Sequence, residues 1–220
     1  MKKLCTLFLA LALSLGLAVP AWAATFSDVS ETHWARPFVD EVSEAGIMKG
    51  TGNGQFSPDG TMTAAEFAAM LARAFWPEAL EANTAQAPAG SPWWLGPVQT
   101  IYQQGGFKST SIDTDFSAAE ADGTKVTSPL SRYDMAGMLY DVLRAKGLPL
   151  GTERDAEINK SYLSDWEQVP AEYGDAVAYV MATGVLTGKS GNRFAGADTM
   201  SRGEAAAAMS RLLAYSAAHS

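Results

Sequence analysis

Met62-Thr63-Ala64-Ala65-Glu66-Phe67, near the start of the chain, returns near its end as Met200-Ser201-Arg202-Gly203-Glu204-Ala205. The two stretches lie 138 positions apart. The same offset superimposes Val39 on Val177, Val42 on Val180, Gly46 on Gly184, Gly50 on Gly188 and Phe56 on Phe194 without a gap. In both, a hydroxyl residue is followed three positions later by Glu and then by an apolar run, the signature of a capping box that opens a helix. A more divergent copy lies between them. There Trp94, Pro97, Gly106, Leu130, Ser131, Asp134, Met138 and Leu139 stand for Trp34, Pro37, Gly46, Met62, Thr63, Glu66, Met70 and Leu71. Three copies of a unit of roughly 55 to 60 residues fill nearly all the chain, leaving little room for a separate catalytic domain.

Each copy reads as helix, loop, helix. The first helices carry apolar residues at helical spacing: Trp34, Phe38, Val39 and Val42, then Trp94, Val98, Ile101 and Tyr102, then Tyr173, Val177, Val180 and Met181. Pro37 fits only if its helix begins close to Trp34, so that the missing N–H falls in the first turn. The second helices open at Thr63, Ser131 and Ser201 and continue as apolar stripes: Phe67, Met70 and Leu71, then Met135, Met138 and Leu139, then Ala205, Ala208 and Met209. The expected fold class is all-α, a tandem array of helix-loop-helix units. The loop Gly50–Gly60 turns tightly around one aromatic, Phe56. It lacks the Gly-Lys-Ser/Thr ending and preceding strand of a phosphate-binding loop.

The ends of the chain and its charge narrow the function. Lys2 and Lys3, an apolar run from Leu4 to Val19 and the small residues of Ala21-Trp22-Ala23 form an export signal with cleavage expected after Ala23. The run is short for a bilayer span, so no membrane span is expected after cleavage. Cys5, the single cysteine, leaves with the signal, which removes disulfide and thiolate chemistry. Losing Lys2 and Lys3 makes the formal net charge of −8 more negative still, which argues against nucleic acid or an anionic membrane as partner. The expected organisation is a signal over 1–23, repeats over 24–80, 93–147 and 161–220, and linkers over 81–92 and 148–160. An insertion around Lys108 to Ser128 lies in the second copy.

Phe26-Ser27-Asp28-Val29, His33-Trp34-Ala35, Gly46-Ile47-Met48-Lys49-Gly50, Phe56-Ser57-Pro58 and the Thr63 helix start together resemble the S-layer homology (SLH) module. Ser164-Asp165, Gly184-Val185-Leu186, Phe194 and Met200-Ser201-Arg202-Gly203-Glu204 carry the same resemblance in the third copy, and the second copy matches least. The resemblance implies three modules in a pseudo-threefold, three-lobed domain around a central helical bundle, with ligand grooves between lobes. It implies attachment to a cell envelope by binding a secondary cell wall polymer, often one bearing pyruvylated N-acetylmannosamine, or a peptidoglycan-linked glycan. It implies that binding centres on a Thr-Arg-Ala-Glu motif at the second helix, assisted by an aromatic and by loop residues. The candidate ligand-binding residues are therefore Arg132, Arg202, Trp34, Trp94, Thr63, Ser131, Ser201, Glu66, Asp134, Glu204 and Asp28.

Capping already accounts for the hydroxyl and the carboxylate of that motif. An arginine in the first turn meets the positive end of the helix dipole, so capping does not require it. Arg132 and Arg202 are accordingly assigned to anion recognition, with little expected effect on stability when removed. The first copy has Ala64 instead. Sugar stacking and buried packing are both open for Trp34 and Trp94, and the third copy places Glu172 there, with Tyr173 adjacent. One copy can supply the aromatic of a groove and another the arginine.

No catalytic role, metal or cofactor is expected. The best-placed acids, Glu66, Asp134 and Glu204, are explained as caps, and His33 and His219 suggest neither a triad nor a metal site. The alternative to wall attachment is a structural or assembly component that recruits another envelope protein or a second copy of itself. A wall-glycan hydrolase is the lesser alternative.

Overall fold

The structure is a computed structural model that describes residues 26–112 and 123–220. The export signal over 1–23, its cleavage point after Ala23 and Cys5 lie outside the described residues, as does the centre of the insertion in the second copy. The described residues form an all-α fold: α1 Arg36–Glu44, α2 Ala64–Phe75, α3 Pro77–Gln86, α4 Leu95–Gln103, α5 Thr124–Thr127, α6 Arg132–Ala145, α7 Glu153–Tyr162, α8 Gly174–Ala182 and α9 Arg202–Ala218. Isolated two-residue bridges are the only extended pairing among the described residues. Each copy is one lobe, built on α1 and α2, on α4 and α6, and on α8 and α9.

The second helices start as their sequences require. The Thr63 and Ser201 hydroxyls accept from the Glu66 and Glu204 amides, both at 3.2 Å, while each Glu carboxylate accepts from its cap amide at 2.9 and 3.0 Å. The second lobe has only half of this box. Ser131 Oγ accepts from the Asp134 amide at 3.0 Å, and the shorter Asp134 side chain turns to other partners. Behind the caps, Phe67, Met70 and Leu71, Met135, Met138 and Leu139, and Ala205, Ala208 and Met209 are all buried in one continuous core.

The first helices begin without a side-chain cap, at Ala35, Trp94 and Tyr173, and end at glycines in the left-handed region: Gly46 at φ 68°, Gly105 at φ 75° and Gly184 at φ 74°. Gly105, not Gly106, is therefore the counterpart of Gly46, and the second copy sits one residue out of the register read from sequence. The counterpart of Trp34 is Trp93, and Trp94 takes the buried place of Ala35.

Three main-chain hydrogen bonds close the domain. Met62 N–H donates to Met200 O at 2.9 Å, Met200 N–H to Leu130 O at 2.9 Å and Leu130 N–H to Met62 O at 2.8 Å. One residue from each lobe thus meets the other two in a cyclic, pseudo-threefold ring, just before the three helix caps.

The stretches read as linkers carry helices instead, and each packs on the next lobe. In α3, Asn83 Nδ2 donates to Thr100 Oγ1 and Gln103 Oε1 of α4, both at 3.0 Å. In α7, Asn159 Nδ2 donates to Ala178 O of α8 at 2.9 Å. The long C-terminal part of α9 closes the circle on α1, where Ser210 Oγ donates to Glu41 Oε2 at 2.5 Å. Helix α7 is capped by Thr152 and Asp155, a box present in the sequence, and α3 begins with Pro77 in its first turn.

Candidate functional site

Two grooves of equal size, each of about 220 Å³, lie at equivalent places between lobes. The first is walled by the loop after α1 (Met48, Lys49, Gly50, Thr51) and by Glu66, Ala69 and Arg73 of α2. Arg202 enters it from the third lobe and Trp93 from the second. The third-lobe groove repeats this with Leu186, Thr187, Gly188 and Lys189, with Glu204, Ala207 and Arg211 of α9, with Arg132 from the second lobe and Trp34 from the first. Each groove is therefore a composite of all three lobes. Trp34 and Trp93 are 51% and 60% exposed, so each offers a ring face to solvent.

The loop that forms one wall is held from below. Phe56 and Phe194 are fully buried, each worth about 1.5–3 kcal/mol in removed apolar surface. Asp28 accepts from the Phe56 and Ser57 amides at 2.9 and 2.7 Å, and Asp165 from the Phe194 and Ala195 amides, both at 2.8 Å. These bonds fix Ser57 and Ala195 in the left-handed region at φ 58° and 56°. Burial pushes Asp28 up, but the two amides and the His33 charge outweigh it and hold the carboxyl below its ordinary range. Asp28 lines neither groove, and its role is to shape the loop.

The motif arginines, assigned from the sequence to anion recognition, are buried between lobes rather than solvated. Arg202 is 8% exposed. Its Nε donates to Phe56 O at 2.9 Å and its Nη2 to Lys49 O at 2.8 Å, Nη1 lies 3.5 Å from Glu66 Oε1, and the guanidinium stands 5.0 Å over the Phe56 ring. Arg132 repeats the pose in the third lobe: Nη2 donates to Thr187 O, Nη1 contacts Met200 Sδ, and the guanidinium lies 5.1 Å from the Phe194 ring. Its Nε is buried without a hydrogen-bond partner. Burial lowers the pKa of both arginines, opposed by Glu66 and Asp28 for Arg202 and by Glu204 and Asp198 for Arg132. Each arginine reaches from its own helix onto the next lobe's loop, so its cost against the dipole is offset by charge-assisted bonds to carbonyls.

Of the other candidates, Glu66 and Glu204 line the first and third grooves, whereas Thr63, Ser131 and Ser201 serve their helix caps. Trp94 is 7% exposed and belongs to the core; a Cβ on Gly123 would lie 2.3 Å from its ring. Residues that the motif did not single out complete the grooves: Trp93, Arg73, Arg211, Lys49 and Lys189. Arg73 and Arg211 are related by the same 138-residue offset that superimposes the first and third copies, which was the signal available for them. Arg73 Nη1 donates to Ile47 O at 2.9 Å, and Lys189 pairs with Asp198 at 3.0 Å and Glu204 at 3.2 Å. Each groove gathers three cationic residues around one glutamate on a chain whose formal charge is −8, which favours an anion there. Among the described residues no cluster of three or more His, Cys, Asp or Glu could hold a metal, and no helix is long and apolar enough to cross a membrane.

The sequence pattern of the S-layer homology domain matches residues 25–68 and 163–206, the first and third copies. An endoglucanase of Bacillus sp. (strain KSM-635) is 26% identical over 233 residues, covering 99% of this chain and 23% of its own length. The S-layer protein sap of Bacillus anthracis is 26% identical over 163 residues, 71% of this chain and 19% of its own. An uncharacterized cell wall amidase of Bacillus anthracis is 34% identical over 65 residues, 30% of this chain and 12% of its own. The chain thus spans less than a quarter of the length of each of these relatives.

Proposed function

We propose that this chain is a triple S-layer homology domain that attaches non-covalently to a bacterial cell envelope by holding an anionic, pyruvylated secondary cell wall polysaccharide in the grooves between its lobes. The observation that carries the reading is the repeated constellation: arginine from one lobe, loop, glutamate and second arginine from another, exposed tryptophan from the third. A carboxylated pyranose has complementary parts. Its carboxylate suits the guanidinium cluster, and its apolar ring face suits an exposed indole. The matches to S-layer homology segments and to the S-layer and cell wall relatives support a cell-surface setting.

The state of the acids supports binding rather than bond cleavage. Glu66 and Glu204 hold their caps, and Asp134 accepts from Ser111 and Tyr173. The test is co-sedimentation of the protein with purified Gram-positive-type cell walls before and after the secondary polymer is stripped. Pelleting with intact walls and release from stripped walls is the expected result. Equal pelleting with both would remove the polymer from the reading, and digestion of wall glycan would replace binding with catalysis.

A further inference from the structure

The three places between lobes are not equivalent, and the differences fall together. In the first groove the exposed aromatic is Trp93, the clasping arginine Arg202 and the helix arginine Arg73. In the third they are Trp34, Arg132 and Arg211. At the second place the same three positions hold Glu172, Ala64 and Asp141. An aromatic has become an acid, one arginine has been shortened to a methyl, and the other has reversed its charge.

The backbone has changed with them. Ala69 and Ala207 line the open grooves, and their counterpart is Gly137, where a Cβ would lie 1.9 Å from Ser109 O. The glycine lets the chain around Ser109 press against α6, where the other grooves have open space. Asp141 anchors it there, accepting from the Ser109 amide and hydroxyl, both at 2.8 Å. Asp134 accepts from the Ser111 amide at 2.8 Å and the Tyr173 hydroxyl at 2.7 Å. Tyr173, which belongs to the third lobe, stacks on Tyr133 with ring centres 4.9 Å apart. The depression there, about 230 Å³ and so as large as the other two, has Lys125 in its lining but neither an arginine nor an aromatic.

We infer that the chain carries two glycan sites, in the first and third grooves, and that the second place, where carboxylates bind the chain around Ser109 and Ser111 instead, lacks the arginines and the aromatic of such a site. The inference rests on the function proposed above and fixes its valency. Both sites contain part of α9: Arg202 points to the first groove, and Glu204 and Arg211 line the third. Two such sites on one chain let a repeating polymer engage both, and binding at one groove then raises the effective concentration of ligand at the other.

The experiment is calorimetric titration of the parent, Trp34→Ala and Trp93→Ala with a methyl glycoside of pyruvylated N-acetylmannosamine, followed by binding of the isolated polymer. Both tryptophans are exposed, and unchanged melting temperatures will show that the variants fold. The parent should take two sugars. Each variant should keep one site at parental affinity and weaken the other by about tenfold or more, a difference of about 1.4 kcal/mol. Polymer affinity should fall by on the order of a hundredfold in either variant as bivalency is lost. A parental stoichiometry of one or three, or a tryptophan variant with two unaltered sites, overturns the inference while leaving wall binding intact. No sugar bound at any groove overturns the proposed function and this inference with it.

Discussion

Arg202 of the third lobe stands 5.0 Å from the centre of the Phe56 ring in the first and donates to that residue's own carbonyl at 2.9 Å. One guanidinium thus fastens the end of the chain to a loop 146 residues earlier. Arg202→Ala would remove two charge-assisted bonds and leave the carbonyls of Lys49 and Phe56 without donors. The expected loss is about 2–4 kcal/mol in urea denaturation. Arg132→Ala should cost less, because its Nε already lacks a partner. Parental stability in Arg202→Ala would show that the clasp is idle.

The adjacent tryptophans of the second lobe should behave oppositely. Trp93→Ala removes an exposed ring and should leave the melting temperature nearly unchanged while weakening wall binding. Trp94→Ala opens a cavity beside Gly123 and should cost about 3–5 kcal/mol. Thermal melts and co-sedimentation of the two variants side by side decide this.

Acid should loosen the first loop through Asp28. Its folded pKa lies below the ordinary 3.8, so its contribution is complete above about pH 4 and is lost as pH falls through the folded value. Asp28→Asn should be less stable than the parent at pH 7, and the gap should narrow toward pH 2. Urea midpoints measured across that range test it, and a gap independent of pH would rule the carboxylate out.

The caps offer a further check. Thr63→Ala and Ser201→Ala each dismantle a complete box and should each cost about 0.5–2 kcal/mol. Thr63→Ser should restore most of the loss, since the hydroxyl is what the Glu66 amide meets. Chemical denaturation at constant slope is the measurement.

The second helices were legible because their starts are written in side chains: a hydroxyl, a carboxylate three residues on, and an apolar stripe. The first helices have no such mark. With Ala35 and Trp94 as uncapped entrances, only their glycine ends could set the register, and Gly105-Gly106 offered two choices. That ambiguity put Trp94 where Trp93 belongs. Helix α7 was available in Thr152-Glu153-Arg154-Asp155, but the surrounding polarity reads as linker; of its ten residues only Ala156 is buried. What the arginines touch was not legible for another reason. Their partners, Phe56 and Phe194, lie on other lobes, and helix-dipole arguments see only the helix on which a charge sits.

The ring of Met62, Leu130 and Met200 bears on how such a domain can be cut and recombined. Remove any one lobe and each of the other two is left with an amide or a carbonyl facing the vacated axis. A single lobe is therefore a poor building block: grafted alone onto an enzyme, it would bring unmatched polar edges, an unclasped loop and no complete groove. The portable tag is the closed trio, and a fusion should join at its outer ends rather than between its lobes.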